Sequence, residues 1–165
     1  EAAAKNMFDA AFDGRLDVMQ DLHGRLGVPL DVKTGRGSTP MHLACGTGQL
    51  EVVQWLHEMG ATLDKEDNGG RTPMHAACGN DQLEVAQWLH KMGVTLDENN
   101  NHGNTPMHYA CLNGQLGVAQ WLHEKGVPLH ASDNNGRQWQ RSQRNVRESQ
   151  RQEVIPITGH KVAVT

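Results

Sequence analysis

The chain has 165 residues and a mass of 18.2 kDa, which suits one domain. Hydrophobic residues make up 37% of it, and no apolar run approaches the roughly 18 residues needed to cross a bilayer, so no membrane-spanning protein and no membrane partner are expected. The formal net charge is -4, which gives the whole chain no overall attraction to nucleic acid. Residues 137–165 depart from this balance, because they hold six Lys/Arg and two Asp/Glu.

The cysteine count bears on the compartment. The chain has three cysteines, and an odd number is untypical of a secreted disulfide framework. We therefore expect free thiols and a reducing, intracellular compartment, either cytoplasmic or nuclear.

The sequence repeats itself with a period of 33 residues. The motif Thr39-Pro40-Met41-His42 returns at 72 and again at 105. Its companions recur in the same register: Cys45, Cys78 and Cys111; Gln-Trp-Leu-His at 54, 87 and 120; and Gly60, Gly93 and Gly126. Repetition at such a spacing is the signature of a stacked array, in which each unit buries its faces against its neighbours.

Each unit predicts two helices and a turn. Thr39 is suited to the N-cap of a first helix, with proline at the next position, and the helix ends near Gly48. A wide apolar stripe predicts a second helix over about 50–59. The segment 61–71 contains Asp-Asn-Gly-Gly, a dense turn signal, and therefore forms a finger between units.

The unit resembles an ankyrin repeat. The resemblance rests on Thr-Pro-Met-His-x-Ala-Cys, on Gly-Gln-Leu-Glu-Val-Val at 48–53, and on the Asn/Gly-rich finger before each threonine, and it covers about 6–137. It implies an all-α fold, an ankyrin-repeat α-solenoid with a helix-turn-helix and a β-turn finger in each unit. It also implies a protein-binding scaffold without catalytic activity or cofactor.

The repeat register predicts how the chain is organised. Residues 1–5 match the EAAAK helical linker and are interpreted as a linker segment that is separate from the repeats. A degenerate capping repeat at 6–38 precedes repeats at 39–71, 72–104 and 105–137. Thr-Pro is then replaced by Gln138-Trp139, and residues 138–153 are interpreted as a basic helix that caps the stack, followed by a hairpin-like or mobile tail at 154–165.

The histidines and cysteines of the repeats could be metal ligands. His42 and Cys45 lie at i and i+3, a spacing that could begin a zinc site. Helices of a stack lie about 8–10 Å apart, however, so equivalent side chains repeat at that distance and do not converge on one ion. We expect the cysteines to be core residues and no metal site. The resemblance implies that the histidines hydrogen-bond within and between the turns.

A second recurring series contains tryptophan followed two residues later by histidine, at Trp55, Trp88 and Trp121. Such a series could stack the bases of single-stranded nucleic acid. The tryptophans lie in the apolar stripe of the second helix, in a net acidic region, so packing against the core is favoured. No motif of hydrolases, phosphate-binding loops or zinc proteases is present, and a non-enzyme is expected.

Residues that differ between copies at equivalent positions are the candidates for recognition, since those that recur build the stack. By the resemblance, they line a concave groove and the finger tips. They are Arg36, Ser38, Leu43, Thr47, Arg71, Asn80, His102, Asn104, Tyr109, Asn113 and Arg137. Leu43, Ala76 and Tyr109 are expected to form the apolar floor, flanked by Arg36, Arg71 and Arg137.

Three functions are compatible with these patterns. The first is a scaffold, monomeric and not oligomeric, that binds a protein of unknown identity through the groove and finger tips. The first alternative is binding of nucleic acid or an acidic partner through the Arg-rich C-terminal segment. The second alternative is a structural or self-associating module without a specific ligand.

Overall fold

The computed structural model describes residues 2–128, and within that range the chain forms eight α-helices and no strand. The helices are α1 (Ala2–Asp13), α2 (Leu16–Leu26), α3 (Pro40–Thr47), α4 (Leu50–Glu58), α5 (Pro73–Gly79), α6 (Leu83–Lys91), α7 (Pro106–Asn113) and α8 (Leu116–Glu124). The predicted cap at 138–153, the tail at 154–165 and Arg137 lie outside the described residues.

The helices form pairs that stack in one direction. Each odd-numbered helix packs against the even-numbered helix that follows it, and α1, α3, α5 and α7 pack against one another in chain order. We call these four the inner helices and the remaining four the outer helices. α4 also contacts α6 in the outer layer. The all-α stack predicted from the 33-residue period is therefore confirmed.

The inner helices begin as their sequence predicts. Thr39, Thr72 and Thr105 are the N-caps of α3, α5 and α7, each in an extended conformation and each followed by proline at the first helical position. Histidine occupies the third helical position, and its side chain accepts from the backbone N–H of the threonine. This is a capping box in which histidine replaces the usual Glu or Gln.

The middle repeat ends its inner helix differently. α3 and α7 stop at Gly48 and Gly114, which adopt left-handed φ angles of 78° and 75°. α5 is one residue shorter, at seven residues, and the left-handed position belongs to Asp81 with φ 62°. Asp adopts a left-handed turn less readily than Gly, and it is the residue at this position of the middle repeat alone among the three.

A continuous apolar core lies between the two layers. Met41 and Met74 in the inner helices and Leu56 and Leu89 in the outer helices are each at most 1% exposed. The recurring alanines and cysteines fill the spaces between the larger side chains. Burial of one side chain the size of Leu or Met stabilises the fold by about 1.5–3 kcal/mol, so the recurring residues hold the stack together.

The fingers are linked to one another along the stack. Asp67 N–H donates to the carbonyl of Arg71 at 2.9 Å and closes one finger. Asn68 N–H donates to the carbonyl of Arg36 in the preceding finger at 3.0 Å. A Cβ on Gly37 would lie 2.7 Å from the backbone nitrogen of Asn68, so glycine is needed where the fingers meet.

The first helix pair is longer than the others. α2 has 11 residues, whereas α4, α6 and α8 each have nine. The EAAAK segment from Ala2 onward is part of α1. None of the helices in the described part of the chain combines the length and the apolar character that a membrane span requires.

Candidate functional site

The histidine at the start of each inner helix is held from two sides. Thr39 N–H donates to Nδ1 of His42 at 3.2 Å, and Nε2 of His42 donates to the carbonyl of Arg71 in the next repeat at 2.9 Å. His75 makes the equivalent contacts at 3.1 and 3.0 Å. Because Nδ1 accepts, each ring is the neutral tautomer with its proton on Nε2. The hydrogen bonding implied within and between the turns is confirmed.

These rings act as structural links. Burial lowers the pKa of His42 and of His75, because a charged imidazolium would lose its hydration. The backbone carbonyl at Nε2 acts in the opposite direction and does not overcome the burial. Both rings are therefore neutral at pH 7, with both nitrogens already engaged.

The cysteines lie in the core, as predicted. Cys45, Cys78 and Cys111 are buried and free of disulfides. Burial raises the pKa of Cys78 to about 12 and that of Cys111 to about 11, so the thiols stay protonated at pH 7. Cys78 Sγ lies 3.7 Å from Sδ of Met74 in the same helix. Within residues 2–128, no group of three His, Cys, Asp or Glu side chains is arranged to hold a metal ion.

The tryptophans run along the outer layer and do not gather around one cavity. Trp121 is 7% exposed, whereas Trp55 and Trp88 are half-buried and pack against the edge of the core. Each of the three is met edge-on by a histidine of the preceding repeat. The prediction that the tryptophans pack against the core is confirmed, although two of them retain exposed surface.

A cavity of about 450 Å³ extends along the inner helices, and we call it the groove. It is lined by the exposed sides of α3, α5 and α7, by the end of α1 and by the bases of the fingers. The candidate recognition residues that line it are Ser38, Leu43, Thr47, Arg71, Asn80, Tyr109 and Asn113. Ala76 lines it as well, so the groove contains all three residues expected to form its floor.

Three other candidates lie on the fingers, outside the groove lining. Arg36 and His102 are exposed. The carbonyl of Arg36 accepts the hydrogen bond from Asn68 that links the two fingers. Arg36 is not among the residues that line the groove, and its flanking position stays a prediction. Asn104 contributes its carbonyl to His75, and its Oδ1 is buried without a protein partner. Arg137 lies outside the described residues.

A network of polar side chains crosses the groove lining. Arg71 Nε donates to Oδ2 of Asp67 at 2.8 Å, and its terminal Nη2 lies 2.7 Å from the same oxygen. The hydrogen bond with Asp67, and to a smaller extent the nearby Tyr109 hydroxyl, raise the pKa of Arg71. That hydroxyl also accepts from Asn100 Nδ2 at 2.9 Å. Arg71 and Tyr109 are therefore held in place before any partner arrives.

The charge of Asp67 is well compensated. Burial acts to raise the pKa of this carboxyl, whose side chain is 2% exposed, but hydrogen bonds from Arg71 and from Gly69 N–H outweigh the burial. The net effect is a pKa below the usual value for Asp. Asp67 and Arg71 thus form a neutral unit at pH 7.

Sequence reasoning missed Phe12 and Asp67 in the groove lining. Phe12 is 55% exposed at the end of α1 and lines the groove beside α3. Its equivalents in the later repeats are Gly46, Gly79 and Leu112, so the position varies between copies, and this variation could have identified it. The sequence identifies Asp67 only as a turn residue, because an ion pair with a residue four positions away cannot be read from the repeat pattern.

Comparison with known protein families agrees with this architecture. A family model described as ankyrin repeats (3 copies) matches residues 7–100, and a second, described as ankyrin repeats (many copies), matches residues 82–123. Ankyrin repeats are generally protein–protein interaction modules, and scaffolds of this kind are generally non-enzymatic. The first match alone covers more than half of the sequence, and the chain therefore belongs to the ankyrin-repeat family.

Proposed function

We propose that the chain is a protein-interaction scaffold that holds a segment of a partner protein in the groove. The observation that supports this most directly is the different location of recurring and varying residues within each repeat. Recurring residues of the inner helices such as Met74 and Cys78 are buried, whereas the position that reads Leu43, Ala76 and Tyr109 in successive repeats lines the groove. A position that is accessible and free to vary is suited to choosing a ligand.

The lining is prearranged for binding. Arg71 is fixed by Asp67, and Tyr109 is held by Asn100 and packs edge-on against His75 with ring centroids 5.6 Å apart. Arg and Tyr are residue types that often carry a large share of interface energy. Because these two side chains are already ordered, they lose little conformational entropy when a partner binds.

We also propose that the scaffold acts as a monomer in a reducing, intracellular compartment. The three cysteines are not joined by disulfides, which is compatible with a reducing environment.

The test is affinity capture with paired variants. Ala76→Arg places a long side chain in the middle of the groove, whereas Gln87→Arg adds the same charge at an exposed position of the outer helix α6. Circular dichroism and thermal melts first establish that both variants are folded. Proteins captured by wild type and Gln87→Arg, and lost with Ala76→Arg, would support the groove. Capture of the same proteins by Ala76→Arg would refute it.

A further inference from the structure

One wall of the groove is built from the residues that end the inner helices. Thr47, Asn80 and Asn113 occupy equivalent positions in three repeats, and all of them line the groove. Thr47 Oγ1 donates to the carbonyl of Leu43 at 2.9 Å, and Asn80 Nδ2 donates to the carbonyl of Ala76 at 2.8 Å. Each side chain thus directs a donor at its own helix.

Asn113 uses its amide in the same way but reaches the previous repeat. Its Nδ2 donates to the carbonyl of Gly79 at 2.6 Å. A carbonyl can only accept, so these contacts fix which end of each amide is nitrogen. Within residues 2–128, no protein donor reaches Oδ1 of Asn80 or Asn113. The wall therefore offers hydrogen-bond acceptors to an occupant of the groove.

The electrostatic surroundings of this wall favour positive charge. α3, α5 and α7 all end here, and the carbonyl end of a helix carries partial negative charge. Exposed Asp13 and Asp81 stand at the ends of α1 and α5, and neither takes part in the ion pairs found among the described residues. Exposed Arg15 lies two residues after Asp13, and its positive charge offsets the negative charge at that end of the wall.

The opposite side of the groove does not reverse this preference. Arg71 is the basic residue of the lining, and its charge is balanced by Asp67 at 2.7 Å. The floor residues Leu43 and Ala76 are apolar, and the apolar ring of Phe12 also lines the groove. Residues 2–128 as a whole contain 15 Asp/Glu and nine Lys/Arg, so the stack attracts cationic segments over a distance.

We infer that the groove binds a cationic, amphipathic segment of another protein, whose Lys or Arg side chains donate to Thr47, Asn80 and Asn113 while its apolar side chains cover Leu43 and Ala76. This inference rests on the proposed function. Inner helices about 8–10 Å apart set the spacing of the acceptors. Basic residues about seven apart on a helix, or about three apart on an extended segment, match that spacing.

The test uses a displayed library of random peptides of about 16 residues, long enough to span two repeats as a helix. The full chain is the bait, and the readout is the composition of the selected peptides. Enrichment of Lys and Arg at the stated spacings is the expected result. Selected peptides that lack Lys/Arg enrichment, or that are rich in Asp and Glu, would overturn the inference.

Two charge-matched variants then locate the contact. Asn80→Lys adds a positive charge to the acceptor wall, and Asn99→Lys adds the same charge on an exposed finger position outside the groove. Asn80→Lys should weaken binding of a selected peptide about tenfold, and Asn99→Lys less than about twofold, because like charges in direct contact are penalised most. Equal effects of the two would contradict a contact at the wall.

The same assay separates this inference from the proposed function. If selected peptides are acidic but Ala76→Arg abolishes their binding, the groove is the binding site and the inference about charge fails. If binding survives Ala76→Arg for every selected peptide, the groove is not the site and the proposed function fails as well. Capture of a second copy of this chain through its own Arg-rich segment, seen as a dimer in sedimentation, would also contradict a foreign partner.

Discussion

The imidazole of His57 meets the indole of Trp88 edge-on, with ring centroids 5.7 Å apart and ring planes at 77°. The two residues belong to successive outer helices, α4 and α6. The same contact joins His23 to Trp55 and His90 to Trp121, at 6.2 and 6.0 Å. An aromatic contact of one kind therefore repeats along the outer layer and links each repeat to the next.

This contact predicts energetic coupling between His57 and Trp88. Trp88→Ala should cost about 2–3 kcal/mol of unfolding free energy, less than the 3–5 or so of a fully buried Trp, because the indole is half-buried. A double-mutant cycle with His57→Ala, measured by urea denaturation, should give a coupling of about 0.5–1.5 kcal/mol. His102→Ala, on a distant finger, is the control, and its cycle with Trp88→Ala should show no coupling energy. Strict additivity of the His57 and Trp88 changes would show that the rings do not interact.

Much of the fold can be predicted from the period alone. A residue that returns every 33 positions must meet a similar environment in each repeat, and Met41, Met74 and Cys78 all prove to be buried. The Thr-Pro pair predicts where the inner helices begin, and the glycines predict where two of them end. These signals are local, so they do not depend on how repeats are oriented.

The groove could be predicted only in part, because its chemistry depends on contacts between positions. Variation between copies identifies Leu43 and Tyr109. It does not reveal that Asp67 neutralises Arg71, or that Asn113 turns its amide nitrogen toward the preceding repeat. Variability likewise does not tell whether Arg36 lines the groove, since it marks a position as free to change but not the direction in which its side chain extends.

The stability of the stack should fall in mild acid because of His42 and His75. Their pKa values are lowered in the folded chain, whereas the unfolded chain takes up the same protons near pH 6.5. Protons are therefore bound more readily by the unfolded state in this range, and acid favours unfolding. The stabilisation is complete above about pH 7 and is lost as the pH falls through about 6.5 toward the lower pKa of the folded rings.

Urea denaturation over this pH range, with His75→Gln as the comparison, measures the effect. Gln can accept from Thr72 N–H as in an ordinary capping box, but it does not titrate. The variant should lose less stability than wild type between about pH 7.5 and 5.5. An identical pH dependence in the two proteins would rule out His75 as a source. Asp67, whose pKa is lowered, acts in a separate window below about pH 4.

Asn100 and Asn104 occupy the positions of Asp67 and Arg71 in the next repeat. Substitution can therefore give the first finger the side chains of the second. Asp67 Oδ1 accepts from the N–H groups of Gly69 and Arg71 at 2.8 and 3.0 Å. Asn100 Oδ1 accepts from His102 and Asn104 in the same way, both at 2.9 Å. Asparagine can therefore close the finger as aspartate does.

Removing one partner should cost more than replacing both. Arg71→Ala leaves a carboxylate that is 2% exposed without its cation, and it should destabilise the chain by about 2 kcal/mol, a value reduced because Arg71 is 43% exposed. Asp67→Asn with Arg71→Asn reproduces the Asn100 and Asn104 arrangement and should cost less than about 1 kcal/mol. Equal losses in the two proteins, measured by urea denaturation, would argue against an ion-pair contribution.

Asp81 should limit the stability of the middle repeat. It adopts a φ of 62°, a region that glycine enters freely and that costs an L-residue energy, and its equivalents are Gly48 and Gly114. Asp81→Gly should raise the unfolding free energy by about 0.5 kcal/mol, since the relief of strain exceeds the entropy gained by the unfolded chain. Gly114→Ala is the reverse control: a Cβ there meets nothing within 4 Å, so its expected loss of about 1 kcal/mol reports backbone strain alone. A loss of stability in Asp81→Gly would mean that the Asp81 side chain makes a stabilising interaction larger than the strain of its backbone.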